Sequence, residues 1–236
     1  MNHTGNRLEI QRALMEKGHL FKLICGAGNE DASEVYKLCL VYTLAGAKCI
    51  DMSANVEVVK SAIKGVTDAE AILSSLGEKN YIRPFLTVSV GMPGDHHVRK
   101  AKIIESNCTE CDACIPVCPT DAIPDVLTII QDRCIGCGAC GVACQDDAIG
   151  YSHKEIEMES VLKECVTLGV ENIELHAAVL DDTPVLREWE LVNKVNPDGF
   201  NSVCLDRGYL SNFNLKRRIE KMLEICPNRM IVQADG

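Results

Sequence analysis

The chain has 236 residues, 47% of them hydrophobic, enough for one large domain or two small ones with a sizeable core. Its formal charge of −10 argues against nucleic acid or an anionic membrane surface as the main partner. No stretch reaches the roughly 18 apolar residues of a membrane span, and the polar N-terminus lacks the apolar core of a signal peptide, so the expected location is the cytoplasm.

A helical stretch over residues 7–17 opens the chain, and a β–α alternation follows it. Apolar runs predict strands over residues 21–25, 48–53, 85–90, 172–177, 200–206 and 229–234. Amphipathic patterns predict helices over residues 30–45, 56–76, 155–168, 184–194 and 215–225, several closed by glycine (Gly46, Gly77, Gly169). Such a rhythm implies parallel strands joined by right-handed crossovers, hence an α/β barrel or a doubly wound sheet. A closed barrel needs eight strands, so six predict an incomplete TIM-like (β/α) barrel. Its open side is expected to be completed by further residues, a second copy or another subunit, since unpaired edges invite association.

Residues 100–152 interrupt the alternation after the third strand and divide the chain into 1–99 (first part of the barrel), the insertion, and 153–236 (second part). The insertion holds two matching runs, Cys108-x2-Cys111-x2-Cys114-x3-Cys118 and Cys134-x2-Cys137-x2-Cys140-x3-Cys144. This is the spacing of bacterial two-cluster ferredoxins, in which the fourth cysteine of each run ligates the other cluster. The expected cofactors are two [4Fe–4S] clusters, one held by Cys108, Cys111, Cys114 and Cys144, the other by Cys134, Cys137, Cys140 and Cys118. A disulfide or zinc module also uses cysteines, but thiols stay reduced in the cytosol and a zinc site needs only four ligands. Pro119 follows the first run as the motif expects, whereas Gln145 replaces proline after the second. The remaining cysteines, at 25, 39, 49, 165, 204 and 226, lack cluster spacing and read as small buried hydrophobes rather than ligands; Cys204 lies on the polar face of its strand.

Parallel strands buried on both sides normally read as continuous apolar runs. Here alternate positions are polar: Lys22; Asp51, Ser53 and Asn55; Thr87 and Ser89; Glu174 and His176; Ser202 and Asp206; Gln233 and Asp235. Period-two alternation puts this set inside the barrel or at its mouth. Two readings stand open: a network of mutual hydrogen bonds, or a cavity for a small polar ligand. In the second, Lys22, Asp51, Asn55, Arg99, Asp206 and Asp235 bind the ligand and Glu174 with His176 is the candidate acid–base pair, His176 titrating nearest neutrality. The segment Asp95-His96-His97-Val98-Arg99-Lys100 leads into the insertion, either as a solvated linker or as a cationic group that binds an anion or tunes a cluster. The Lys216-Arg217-Arg218 run reads as a solvated helix face.

Several segments resemble the N-terminal part of the cyanobacterial light-dependent-period proteins, the LdpA family: residues 21–27 (Phe-Lys-Leu-Ile-Cys-Gly-Ala), 42–47 (Tyr-Thr-Leu-Ala-Gly-Ala) and 49–51 (Cys-Ile-Asp). His97-x-Arg99-Lys100-Ala101 and the final Gln233-Ala234-Asp235-Gly236 are similar to the same family. The resemblance implies an iron–sulfur protein that senses cellular redox state and passes it to the circadian clock. The residues themselves support a ferredoxin-like redox protein that transfers electrons and reports redox state to a partner protein. One alternative is an oxidoreductase, or a subunit of one, that reduces a small polar substrate beside Glu174 and His176. The other is a regulatory module that binds a ligand without turnover.

Overall fold

Six parallel strands form one sheet in the order of the chain, the arrangement of a barrel wall. The structure is a computed structural model that describes residues 3–153 and 156–235, with side chains from residue 7 to 234 within that span. After α1 (His3–Glu16), the first half runs β1 (Lys22–Ile24), α2 (Ala32–Leu44), β2 (Cys49–Ser53), α3 (Val56–Ser75) and β3 (Phe85–Gly91). The insertion follows with β4 (Arg99–Ile103), α4 (Ala139–Ala143) and β5 (Ile149–His153). The second half runs α5 (Met158–Thr167), β6 (Asn172–His176), α6 (Asp182–Val195), β7 (Asn201–Asp206), α7 (Asn212–Ile225) and β8 (Met230–Asp235).

Local sequence sets the ends of these elements. Asp31, Asn55, Asp181 and Ser211 cap α2, α3, α6 and α7, each side chain accepting from backbone N–H groups of the first turn. The outer faces of the strands and the inner faces of the helices share one core, which includes Ile50, Met52, Val88, Ile173, Leu175, Val203 and Trp189. At Gly65 α3 lies so close to α2 that a Cβ would stand 2.5 Å from the Tyr36 carbonyl oxygen, so only glycine permits this crossing.

The sheet curls. Lys22 of β1 reaches Glu174 of β6 at 2.6 Å and Gln233 of β8 at 2.9 Å, contacts a flat sheet in this strand order would forbid. Among the described residues β1 and β8 do not pair with each other, so the barrel is incomplete, with six strands where closure takes eight. Arg7 of α1 pairs with Glu171 and stacks over Phe85, while Gln11 is buried. With Met15, Gln11 lines a cavity of about 350 Å³ against Lys22, Glu174 and Gln233.

Two features depart from expectation. The antiparallel pair β4–β5, Arg99 opposite His153 through Ile103 opposite Ile149, closes the insertion at its base. The sequence pattern predicts no strand over β4, and only pairing with a distant segment makes it one. Arg218 is not on a solvated face: it is fully buried and donates to Asp182 (2.8 Å) and to the carbonyls of Ala177 (2.8 Å) and Leu180 (3.1 Å). Its neighbours Lys216 and Arg217 do remain in solvent, and Arg217 also pairs with Asp182.

Candidate functional site

The eight cysteines of the insertion gather around two separate cavities. Cys118, Cys134, Cys137 and Cys140 line one, with Ala122, Ile123, Gly136, Gly138 and Tyr151. Cys108, Cys111, Cys114 and Cys144 line the other, with Ile103, Ala148 and Ile149. Each run thus sends its fourth cysteine to the other run's cavity. Backbone N–H groups point at the sulfurs: Ala101 to Cys134 (3.3 Å), Ala122 to Cys118 (3.2 Å) and Ala148 to Cys144 (3.3 Å). Burial alone would raise the Cys118 thiol, but hydrogen bonds from Thr120 and Ala122 outweigh it and hold the thiol below its ordinary value. Four thiols converging on each cavity, with amides directed at them, fit a cubane cluster in each.

The loop that carries the second run is clasped to the barrel. The buried Lys100 ammonium donates to the carbonyls of Gln131 and Cys134, both at 2.8 Å, and to that of Gly28 in the β1–α2 loop. Glu30 N–H donates to the Asp132 carbonyl at 2.8 Å, and Arg133 pairs with Asp31 at 3.4 Å. Gly136 adopts φ +70°, and a Cβ there would collide with the Arg99 carbonyl, so glycine is required for this approach. The cavity of Cys118, Cys134, Cys137 and Cys140 is therefore the inner one. The other lies away from these contacts; each set has one exposed cysteine, Cys137 in the inner and Cys111 in the outer.

The inner face of the barrel is polar and largely self-satisfied. Lys22 forms ion pairs with Asp51 and Glu174, both at 2.6 Å, and donates to Gln233. Ser89 donates to Asp51 at 2.6 Å and Ser202 to Glu174 at 2.7 Å. Burial and the Glu174 charge push Asp51 up to about 7 in spite of Lys22. Burial would also raise Glu174, but Lys22 and Ser202 hold it below the usual range. For Lys22 itself burial is outweighed by the two carboxylates, which keep it charged. Burial lowers His176, which faces Glu174 at 3.4 Å, so its ring is neutral at pH 7.

Of the residues predicted to line a cavity, the structure joins Lys22, Asp51, Glu174 and His176, and takes others elsewhere. Asn55 lies past the end of β2, where it caps α3 and donates to Glu30 at 3.0 Å. Asp206 accepts from Gly208 N–H at 2.6 Å and serves its own turn. Arg99 belongs to the cysteine module: it donates to the Gly136 carbonyl at 3.0 Å and lies 4.0 Å over the Tyr151 ring. The side chain of Asp235 lies outside the described residues. The segment 95–100 is no solvated linker, since Asp95 and Lys100 are buried and His97 packs 4.6 Å from the His176 ring. Sequence reasoning missed the role of Asp95, and read Lys100 only as part of a cationic group leading into the insertion. Their only signal was a run of charge at the point where the insertion begins.

The 4Fe–4S binding domain family matches residues 101–123 and 127–150, the two cysteine runs. Light dependent period A of Synechococcus elongatus is 35% identical over 178 residues, which cover 75% of this chain and 49% of that protein. The chain thus spans about half the length of the relative it matches. A sialic acid aldolase catalytic lysine mutant of Ruminococcus gnavus superposes with a TM-score of 0.40 at 12% identity, covering 92% of this chain and 52% of that one, too remote to carry an argument. The chain is a light-dependent-period-A-like iron–sulfur protein with two [4Fe–4S] clusters. Among the described residues no helix is long and apolar enough to cross a membrane.

Proposed function

We propose that this protein carries single electrons between a docking partner and the barrel, and that its redox state is what the partner reads. Cys108, Cys111, Cys114 and Cys144 hold the outer cluster, and Cys134, Cys137, Cys140 and Cys118 the inner one. When bound, the clusters supply the one-electron chemistry; the chain orients them, limits water and sets the charge around them. The observation that carries this reading is the asymmetry of the module. Each set has one exposed cysteine, Cys111 or Cys137, but only the loop of the second is clasped to the barrel by Lys100, which leaves the first, at Cys111, as the side a redox protein can approach. The Lys100 ammonium lies beside the inner loop and favours the added electron there, and Arg99 does the same from above Tyr151.

The carrier reading is supported over the enzyme reading by the barrel interior, where Lys22 already satisfies Asp51, Glu174 and Gln233. The exposed edges, with Ile24 on β1 and Val232 on β8, suit cover by further βα structure or a second subunit. Anaerobic purification followed by reductive titration under EPR tests the proposal. Reversible one-electron reduction of both clusters without loss of any bound organic molecule is expected. Consumption of a co-purified small molecule on reduction would overturn the carrier reading in favour of an oxidoreductase.

A further inference from the structure

Three side chains from separate segments converge at the mouth of the barrel, where the C-terminal ends of its strands lie. His97 comes from the loop between β3 and β4, His176 ends β6, and Cys204 lies in β7. One ligand atom from each lies within 4.8 Å of the other two. His176 and Cys204 are buried, 6% and 1% exposed, and the His97 side chain is three-quarters buried. Ligand atoms around a tetrahedral zinc ion at about 2.0–2.3 Å stand roughly 3.5 Å apart, so small side-chain rotations would bring these three onto one ion.

The orientation of both rings is the stronger observation. His97 Nδ1 lies 2.8 Å from Asp95 Oδ1, which leaves Nε2 as its ligand atom. Asp95 is completely buried and is itself fixed by the N–H groups of His97 (3.0 Å) and Ala178 (2.7 Å). His176 turns Nε2 toward Glu174 at 3.4 Å, and its Nδ1 is buried without a hydrogen-bond partner. An unsatisfied ring nitrogen at such depth costs stability unless something binds it. A carboxylate behind each imidazole is the arrangement that fixes the tautomer and raises the basicity of metal-ligating histidines.

We infer that His97, His176 and Cys204 form a mononuclear site for a divalent first-row transition ion of the zinc class, distinct from the two clusters, with Asp95 and Glu174 as positioning residues. Two imidazoles and one thiolate are borderline-soft donors, which favour such an ion over magnesium or calcium. Three protein ligands leave a fourth position for water or an oxygen donor, as in catalytic zinc sites. The site sits near the clasp to the inner cysteine loop, since a Cβ on Gly28 would stand 3.0 Å from the His97 carbonyl oxygen and 3.4 Å from the Ile135 backbone. Cys204 thereby becomes a ligand rather than a buried hydrophobe.

The test uses the full chain, purified anaerobically with its clusters intact, loaded with zinc alone and desalted. One zinc per chain should be retained with cluster iron unchanged. Its K-edge X-ray absorption should show a single sulfur at about 2.3 Å together with nitrogen at about 2.0–2.1 Å. Cys204→Ser should remove the sulfur contribution, and Asp95→Asn should weaken zinc binding about 10–100-fold with normal cluster absorbance. His97→Ala, altering a side chain at the rim, should lower the nitrogen contribution and zinc retention while keeping the single sulfur, and decides the point should Cys204→Ser fold poorly. Failure of the native protein to retain zinc would overturn the inference. So would an all-sulfur zinc shell, which would place the ion among the cluster cysteines, or zinc retention unaffected by these substitutions.

Discussion

Replacing Lys22 by methionine removes the cation that Asp51 and Glu174 share in the barrel interior while keeping most of its packing volume. Lys22 stands 2.6 Å from Asp51 and 2.6 Å from Glu174, whose side chains are only 2% and 1% exposed. Breaking a buried pair by deleting one partner costs about 3–5 kcal/mol, because the remaining charge is neither solvated nor paired. Here two carboxylates lose their shared partner, and protonation of one limits the cost at neutral pH. For a chain of this size about 3–5 kcal/mol lowers Tm by roughly 6–20 °C. The unpaired carboxylates have raised folded-state pKa values, and a raised acid loses stability as pH rises. The drop in Tm should accordingly be larger at pH 8 than at pH 6. Anaerobic thermal melts followed by helix circular dichroism, with cluster absorbance as a control, measure it. Adding Glu174→Gln should restore part of the loss. A decrease below about 3 °C that is also independent of pH would show that water already solvates the interior, and would refute the argument.

Three further outcomes are expected. Cys118→Ala should disrupt the cluster held by Cys134, Cys137 and Cys140, and Cys144→Ala the other one; EPR of the reduced variants would show which signal is lost, and a loss confined to the variant's own run would contradict the cross-ligation. Lys100→Met removes a buried positive charge beside the Cys134 loop, so spectroscopic redox titration should find the inner cluster at a more negative potential with the outer one little changed. Asp51 has a folded pKa of about 7 against an ordinary 3.8, so its contribution falls as pH rises between those values and is flat above them. The stability of the native chain relative to Asp51→Asn should therefore decline by about 1.4 kcal/mol per pH unit up to neutrality; paired melts from pH 5.5 to 8 would register a constant difference if Asp51 were already ionised.

Cluster chemistry was legible from spacing alone, because three ligands of a cubane must come from one short loop and that constraint is written in consecutive residues. The β–α rhythm was legible for a related reason: alternation, helical periodicity and closing glycines such as Gly46 and Gly77 are local, and the strands formed within one or two residues of where the pattern placed them. The polar inner face followed from period two as far as the strands extend. It failed at Asn55 and Asp206, where the chain turns away and backbone groups claim the side chain. Sequence likewise could not say that Arg218 would leave the solvent, since three acceptors from another part of the chain draw it in. Nor could it say which four cysteines face the barrel, because that depends on distant contacts such as Lys100 gathering carbonyls from segments about 30 and 70 residues away. The meeting of His97, His176 and Cys204 was decided in the same way. In the sequence His97 belongs to a charged run, His176 to an acid–base pair and Cys204 to the buried cysteines, and only the parallel register that sets β6 beside β7, with the insertion returning over their ends, brings the three together.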